Sequence, residues 1–199
     1  MRLLLLGCTG LVGRELVPLL LAAGHTITLV SRQSRQLAGV SCIQADPSRP
    51  ESWTAGAALQ QALEQAEGVV NLAGEPIAEQ RWTPSHLETL HRSRIDTTRH
   101  LVAAINASDA PPQVLVSASA VGYYGTSESA SFNEDSPAGS DVLAKLCEQW
   151  EAAAKEVNAS TRLVITRIGI VLAADGGALG KMLPIFRAGF GGPIGSGQQ

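Results

Sequence analysis

Positive charge is scarce in this chain, and so are aromatic side chains. The 199 residues carry 15 Lys and Arg against 18 Asp and Glu, a formal net charge of −3, and contain only three Trp, two Tyr and three Phe. A surface that binds nucleic acid normally needs a basic patch and aromatic rings on which bases stack. The composition therefore argues against nucleic acid as the main partner.

Cysteine is also rare. Cys8, Cys42 and Cys147 are odd in number and far apart, and no C-x-x-C pair or zinc-like spacing with histidine occurs. Disulfide frameworks and structural zinc sites both require such pairs. We therefore expect neither a structural metal nor a disulfide, and a reducing compartment.

Long hydrophobic runs are absent as well. Arg14 and Glu15 interrupt the best candidate for a membrane span, and the leucine run at residues 3–6 is shorter than the apolar core of a secretory signal. The sequence predicts no membrane association and a cytoplasmic location.

Short apolar runs alternate with helical patterns along the chain. Strands are predicted at residues 3–6, 26–30, 40–43, 68–72, 114–117 and 163–166. Helices are predicted at residues 11–23, 57–66, 84–105, 140–157 and 179–188. Such alternation is typical of βαβ units whose parallel strands are buried on both faces. The predicted fold class is α/β, a doubly wound parallel sheet.

A glycine-rich segment, GCTGLVG at residues 7–13, lies between the first strand and the first helix. Gly7 permits a tight turn, Gly10 lets the backbone approach a pyrophosphate, and Gly13 allows close helix–sheet packing. The amino end of the helix offers free N–H groups to phosphates, so Thr9, Leu11 and Val12 join the candidate cofactor-binding residues. The alternative is a glycine-rich turn without a ligand.

The residues after the second strand indicate which dinucleotide binds. An NAD site places Asp or Glu there for the ribose 2′-hydroxyl, whereas this chain has Ser31-Arg32, followed by Arg35. A guanidinium pairs with a 2′-phosphate, so the pattern favours NADP(H) over NAD(H). The alternative is that Arg32 is a solvated loop charge.

Two further segments are expected in the cofactor cleft. Leu72, Ala73 and Gly74 follow the fourth strand, and ligands of doubly wound sheets bind at the carboxyl ends of strands. Asp46, after the third strand, is placed to meet the adenine amino group, unless it only forms an Asx turn before Pro47.

Together these residues resemble the short-chain dehydrogenase/reductase superfamily, on its extended, sugar-nucleotide-epimerase side. More narrowly, the chain resembles the NAD-dependent epimerase/dehydratase-like proteins of unknown substrate. The resemblance rests on five motifs and covers nearly the whole chain: GCTGLVG, NLAGEPIAEQRW at 71–82, SRIDTT at 93–98, SASAVGYYG at 117–125 and DVLAKLCEQWE at 141–151. It implies a Rossmann domain over residues 1–168 and the beginning of an incomplete substrate-binding region over residues 169–199.

The resemblance also implies a catalytic Ser and a Tyr-x-x-x-Lys motif. Lys145 matches the lysine, which also contacts the cofactor, and Ser119 or Ser117 matches the serine. Asp141 occupies the tyrosine position, either as a helix residue paired with Lys145 or as a replacement base.

The only two tyrosines are adjacent, at positions 123 and 124. Tyr123 or Tyr124 could act as the acid, or both could pack the loop that follows the fifth strand. Arg81 and Trp82 are candidates for the substrate side, as are Ser93-Arg94, because an arginine there could hold a phosphate or carboxylate.

The resemblance leaves two functions open. One is an NADP(H)-dependent oxidoreductase or epimerase acting on a small, nucleotide-sugar-like substrate. The other is a non-catalytic NADP(H) sensor. A homodimer through the helices at 84–105 and 140–157 is also expected, with a stripe that includes Leu87, Leu90, Arg94, Leu101 and Ile105. Because no lid would cover the reaction site, we expect cofactor binding without efficient turnover and a mobile tail after Gly189.

Overall fold

One parallel sheet organises residues 1–193, the part of the chain that the structure, a computed structural model, describes. Its strand order is β3-β2-β1-β4-β5-β6, and all neighbouring pairs are parallel. This is the order of the doubly wound Rossmann sheet, so the predicted fold class is confirmed. The strands are β1 (Arg2–Leu6), β2 (Thr26–Ser31), β3 (Val40–Gln44), β4 (Gly68–Asn71), β5 (Val114–Ala120) and β6 (Arg162–Ile168).

The predicted helices are present with small shifts at their ends. The helical run predicted at residues 84–105 is confirmed, and a π-helical turn (Arg92–Asp96) lies within it between two α-helical parts. Thr83 caps the first α-helical part, since its side chain accepts a hydrogen bond from the His86 amide. The helices are α1 (Leu11–Ala22), α2 (Ala58–Glu64), α3 (Pro84–His91), α4 (Thr97–Ala107), α5 (Val142–Lys155) and α6 (Gly177–Arg187).

The leucines of β1 show why the sheet is buried on both faces. Side chains alternate along a strand, so Leu3 and Leu5 face one side, where they pack with residues of α1. Leu4 and Leu6 face the other side, where they pack with residues of α2 and α4. Burying one such side chain contributes about 2 kcal/mol, so these leucines anchor both layers.

The stripe predicted to form a homodimer lies largely inside the chain. Leu90, Leu101 and Ile105 are at most 1% exposed. Leu101 and Ile105 belong to the core cluster beneath α2 and α4. The prediction that this stripe meets a second copy is therefore wrong, because the apolar periodicity reflects packing against the chain's own sheet.

Beyond β6, the chain returns towards the first helix. Residues 172 and 173 form antiparallel bridges with Gly177 and Gly176, and α6 follows. Part of the segment predicted to be mobile, residues 194–199, lies outside the described residues. Within the described part, no helix is long and apolar enough to cross a membrane.

Gly7 and Gly24 provide a matched test of the glycine-rich turn, because both have positive φ angles, of 73° and 80°. A Cβ atom at Gly7 would lie 2.4 Å from the Ala73 nitrogen, whereas one at Gly24 would meet nothing within 4 Å. We expect Gly24→Ala to cost about 1 kcal/mol through backbone strain. Gly7→Ala should cost about 3 kcal/mol or more, because a clash is added to that strain. Urea denaturation measures both, and equal losses would contradict this account.

Candidate functional site

A cleft opens at the carboxyl ends of β1, β2 and β4. Its volume is about 270 Å³. Most of the residues predicted to bind a cofactor through β1, β2, β3 and β4 border it: Gly7, Thr9, Gly10, Ser31, Arg32, Asp46, Ala73 and Gly74. The structure therefore brings together segments that are up to 67 residues apart, as Gly7 and Gly74 are.

Gly7 and Gly13 are required by the chain's own packing. A Cβ atom on Gly13 would lie 2.1 Å from the Cys8 carbonyl oxygen, as one on Gly7 would clash with Ala73. Gly10 differs, because its Cβ would meet only the Gly7 oxygen, at 3.6 Å. The fold itself tolerates a side chain there, so the bare backbone at Gly10 keeps space open for a ligand in the cleft.

The amino end of α1 is free to receive a phosphate. Gly10 is its N-cap, no side chain caps it, and no acidic residue lies in its first turn. Leu11 and Val12 are the first helical residues, so they offer backbone N–H groups rather than side chains. The glycine-rich turn therefore fits a dinucleotide pyrophosphate, because it combines uncapped backbone amides with open space at Gly10.

The residues that follow β2 divide into two groups. Ser31 and Arg32 border the cleft, and the Arg32 Nη2 atom lies 3.5 Å from Glu75 Oε2. Arg35 does not border it, because its guanidinium turns back to the side-chain oxygen of Gln33. Glu75 was missed by the sequence analysis, although it follows directly on the NLAG segment.

Asp46 and Leu72 show two different placements. Asp46 borders the cleft, and its Oδ1 also accepts hydrogen bonds from the backbone and the hydroxyl of Ser48. The Asx turn of the second alternative is therefore present, at a residue that also borders the cleft. Leu72 does not border the cleft but packs half-buried against the apolar clusters behind it.

A second group of polar residues lies at the end of β5. Ser119 donates a hydrogen bond to Glu151 Oε1 at 2.7 Å, and Arg167 binds both oxygens of that carboxylate, at 2.8 and 2.9 Å. Ser119 and Arg167 are neighbours in register on β5 and β6, and Glu151 reaches them from α5. Ser119 is therefore held by a buried acid rather than exposed to the cleft.

The same arginine organises both tyrosines. Arg167 Nη1 donates to the Tyr124 hydroxyl at 2.8 Å, and the guanidinium carbon lies 3.7 Å from the centre of the Tyr123 ring. Tyr124 also stacks on Phe132, with ring centres 5.2 Å apart. The tyrosine pair is thus a packed cluster, whose Tyr124 oxygen is oriented by a fixed cation.

Glu151 and Arg167 were missed by the sequence analysis. The pattern contained a signal, because Glu151 shares the helical stripe of Ala144, Cys147 and Ala154, all buried. Burial tends to raise the pKa of Glu151, but the hydrogen bonds from Arg167 and Ser119 hold it below its usual value. The carboxylate therefore stays ionised at neutral pH, although it is only 2% exposed.

Asp141 is a helix cap. Its Oδ1 accepts a hydrogen bond from the Ala144 amide at 2.9 Å, and it precedes the first residue of α5. The predicted pairing with Lys145 is wrong, because no ion pair between the two forms among the described residues. Lys145 is exposed on α5, and it borders neither the cleft nor the groove described next.

The candidate substrate-side residues do not all lie at one site. Trp82 and Asp141 border one shallow groove together with Gly122 and Leu143, and the Trp82 indole donates to the Ile77 carbonyl. Arg81 is exposed and does not border that groove. No group of three His, Cys, Asp or Glu side chains within residues 1–193 could hold a metal ion.

Arg94, the other candidate arginine, has a structural environment. Its Nη2 donates to the Glu75 carbonyl at 2.8 Å, and its guanidinium lies over the Trp150 ring, 5.4 Å from the centre. Ser93 accepts a hydrogen bond from the Glu75 amide. The π-helical turn therefore fastens the segment after β4 instead of presenting Arg94 to a substrate.

The strand order and the glycine-lined cleft define a Rossmann-fold protein of the nucleotide-binding type. The chain belongs to the NAD dependent epimerase/dehydratase family, whose family model matches residues 3–188. This confirms the resemblance inferred from the motifs.

Several relatives extend well beyond this chain. It is 42% identical over 202 residues to the human epimerase family protein SDR39U1, covering 100% of this chain and 64% of that protein. The chloroplastic homolog of Arabidopsis thaliana is 42% identical over 199 residues, which cover 97% of this chain and 55% of the relative. The chain thus spans slightly more than half to nearly two thirds of the length of these relatives.

Two solved structures are similar over the whole chain. Human SDR39U1 (isoform 2) with NADPH superposes with a TM-score of 0.86 at 40% identity, covering 100% of this chain and 64% of that one. A nucleoside-diphosphate sugar epimerase from Corynebacterium glutamicum gives 0.77 at 31% identity, covering 99% and 39%. Both similarities include the cleft and the segment at the end of β5.

Replacing Glu151 tests the buried ion pair. Glu151→Gln leaves the Arg167 charge without its carboxylate, so we expect a loss of about 3 kcal/mol in the free energy of unfolding. Lys155→Gln is the control, because Lys155 is an exposed partner of the same carboxylate, 3.7 Å away. That change should cost less than about 0.5 kcal/mol.

The loss should depend on pH in a defined direction. Because the folded pKa of Glu151 lies below its usual value, the carboxylate stabilises the fold fully above the unfolded pKa of about 4.3. This contribution disappears as the pH falls through the folded pKa. Urea denaturation of wild type and Glu151→Gln over an acid series measures it, and a gap that stays constant at every pH would contradict the assignment.

Proposed function

We propose that this protein binds NADP(H) in the cleft and acts as an NADP(H)-dependent oxidoreductase or epimerase on a small substrate. The observation that carries the proposal is the position of Arg32, which borders the cleft at the end of β2 where an NAD site would have an acid. A guanidinium offers two parallel hydrogen bonds to a 2′-phosphate. The NADPH bound to the similar human protein supports the same choice.

Different residues of the chain would bind different parts of the cofactor. The free N–H groups at the start of α1 receive the pyrophosphate over Gly10, and Ser31 and Arg32 receive the adenosine ribose and its phosphate. Asp46 borders the adenine side. The nicotinamide of such a cofactor exchanges a hydride with the substrate.

The reaction side uses the cluster at the end of β5. Tyr124 is our candidate acid. Its hydroxyl oxygen accepts a hydrogen bond from Arg167, which orients the phenol and leaves its proton free to be donated. Ser119 contributes indirectly, because it donates a hydrogen bond to Glu151, which binds Arg167. Lys145 remains a candidate for binding the cofactor ribose. The groove between Trp82 and Asp141 is the candidate substrate entrance, and the sugar-nucleotide epimerase similarity supports a nucleotide-sugar-like substrate.

A non-catalytic NADP(H) sensor is the second candidate. It is favoured by Asp141, which occupies the usual tyrosine position. The Asp141 carboxylate accepts a hydrogen bond from the Ala144 amide of α5 and so serves as a helix cap. A panel of nucleotide sugars and small carbonyl compounds separates the two. NADPH absorbance reports net oxidation or reduction, and chromatography of the products reports epimerisation, because an epimerase returns the hydride and leaves no net change in NADPH. Turnover that Tyr124→Phe abolishes and Tyr123→Phe retains supports the enzyme, whereas tight NADPH binding without turnover supports the sensor.

The cofactor preference is directly measurable. We expect calorimetry to show tighter binding of NADPH than of NADH, and Arg32→Ala to weaken NADPH by about 1.5–3 kcal/mol through loss of a charged contact. NADH should change little. Arg35→Ala is the matched control, because Arg35 does not border the cleft. Equal affinities for the two cofactors, unchanged in Arg32→Ala, would refute the proposal.

A further inference from the structure

The ion pair between Arg32 and Glu75 crosses the cleft. Arg32 follows β2 and Glu75 follows β4, and these strands lie on opposite sides of β1 in the sheet. Both residues border the cleft together with Gly7 and Gly10, which follow β1. The pair, with 3.5 Å between Nη2 and Oε2, therefore spans the glycine-rich turn where a dinucleotide would lie.

The two partners are held very differently. The Glu75 backbone is fixed on both sides, because its amide donates to the Ser93 hydroxyl at 3.0 Å and its carbonyl accepts from Arg94 at 2.8 Å. The Glu75 side chain is 21% exposed, whereas that of Arg32 is 69% exposed. The backbone that carries the carboxylate is therefore fixed, and Arg32 is the more exposed of the two side chains.

This arrangement sets a carboxylate beside the arginine that would receive a 2′-phosphate. The phosphate must displace Glu75 from Arg32 and then remain near a second negative charge, which weakens its binding. A ribose 2′-hydroxyl meets no such penalty, since it can donate a hydrogen bond to a carboxylate. Both cofactors carry the pyrophosphate, but only NADP(H) has the 2′-phosphate, so this acid disfavours NADP(H) more strongly than NAD(H).

We propose that Glu75 sets the cofactor selectivity of this protein by competing with the 2′-phosphate for Arg32. The inference rests on the proposed NADP(H) site and adds a residue outside the β2 segment, where dinucleotide selectivity is usually sought. Glu75 thus limits the preference for NADP(H) that Arg32 creates.

The test isolates the 2′-phosphate. Calorimetry compares 2′,5′-ADP with 5′-AMP, which lacks that phosphate, on wild type and Glu75→Gln. We expect Glu75→Gln to bind 2′,5′-ADP about three- to fivefold more tightly at low salt, with a smaller gain at high salt, and 5′-AMP with unchanged or lower affinity. Glu79→Gln, an exposed acid of the same segment that does not border the cleft, should leave both affinities unchanged. Circular dichroism checks that each variant folds.

The double variant assigns the effect to competition. In an Arg32→Ala background, Glu75→Gln should lose most of its gain, because no arginine is left to be released. A gain of the same size there, or no gain in Glu75→Gln alone, overturns the inference. If wild type shows Arg32-dependent NADPH binding while Glu75→Gln changes nothing, the proposed function stands and this inference falls. If wild type binds neither NADPH nor NADH, both fall.

Discussion

The close approach of Gly7 to the end of β4 is the constraint on which the site depends. With a Cβ atom at residue 7 only 2.4 Å from the Ala73 nitrogen, the turn can press against that backbone only because it is glycine. This contact aligns the start of α1 with the end of β4, so the free amides of the helix and the Ala73-Gly74 segment face the same space. The floor of the cleft is thus built from backbone atoms, while Arg32, Asp46 and Glu75 bring charged side chains to its rim.

The second half of the site depends on a buried charge instead. Glu151 binds Ser119 and Arg167, and Arg167 in turn orients Tyr123 and Tyr124. Removing a carboxylate and a guanidinium from water is costly, and this cost is offset only when each finds several partners. The arrangement therefore makes the end of β5 rigid, and it ties a serine and a phenol to one ion pair between α5 and β6.

Sequence patterns predicted the structure best where a local pattern is compatible with only one backbone arrangement. The GCTGLVG turn and the alternation of strands and helices both follow from local rules. Long-range partners were harder to predict. Glu75 was not singled out, and the apolar stripe containing Leu90 and Leu101 looked like an interface. In both cases the partner comes from the folded sheet, and the periodicity that marks a buried helix face is the same whether the face meets its own core or another chain. Asp141 looked like a partner of Lys145, but it caps α5 through the Ala144 amide.

The sequence by itself determined the fold class, the place of the glycine-rich turn and the absence of an acid after β2, because these depend on local spacing and on backbone geometry. Only the tertiary structure decided that Arg32 meets Glu75 across β1, that Ser119 meets Glu151, and that both tyrosines meet Arg167. Those contacts join residues 32 to 44 positions apart, and a one-dimensional pattern does not encode which side chains the strand order brings together. Charge pairs in particular depend on distances of a few ångströms, which are set only when the strands have assembled into the sheet.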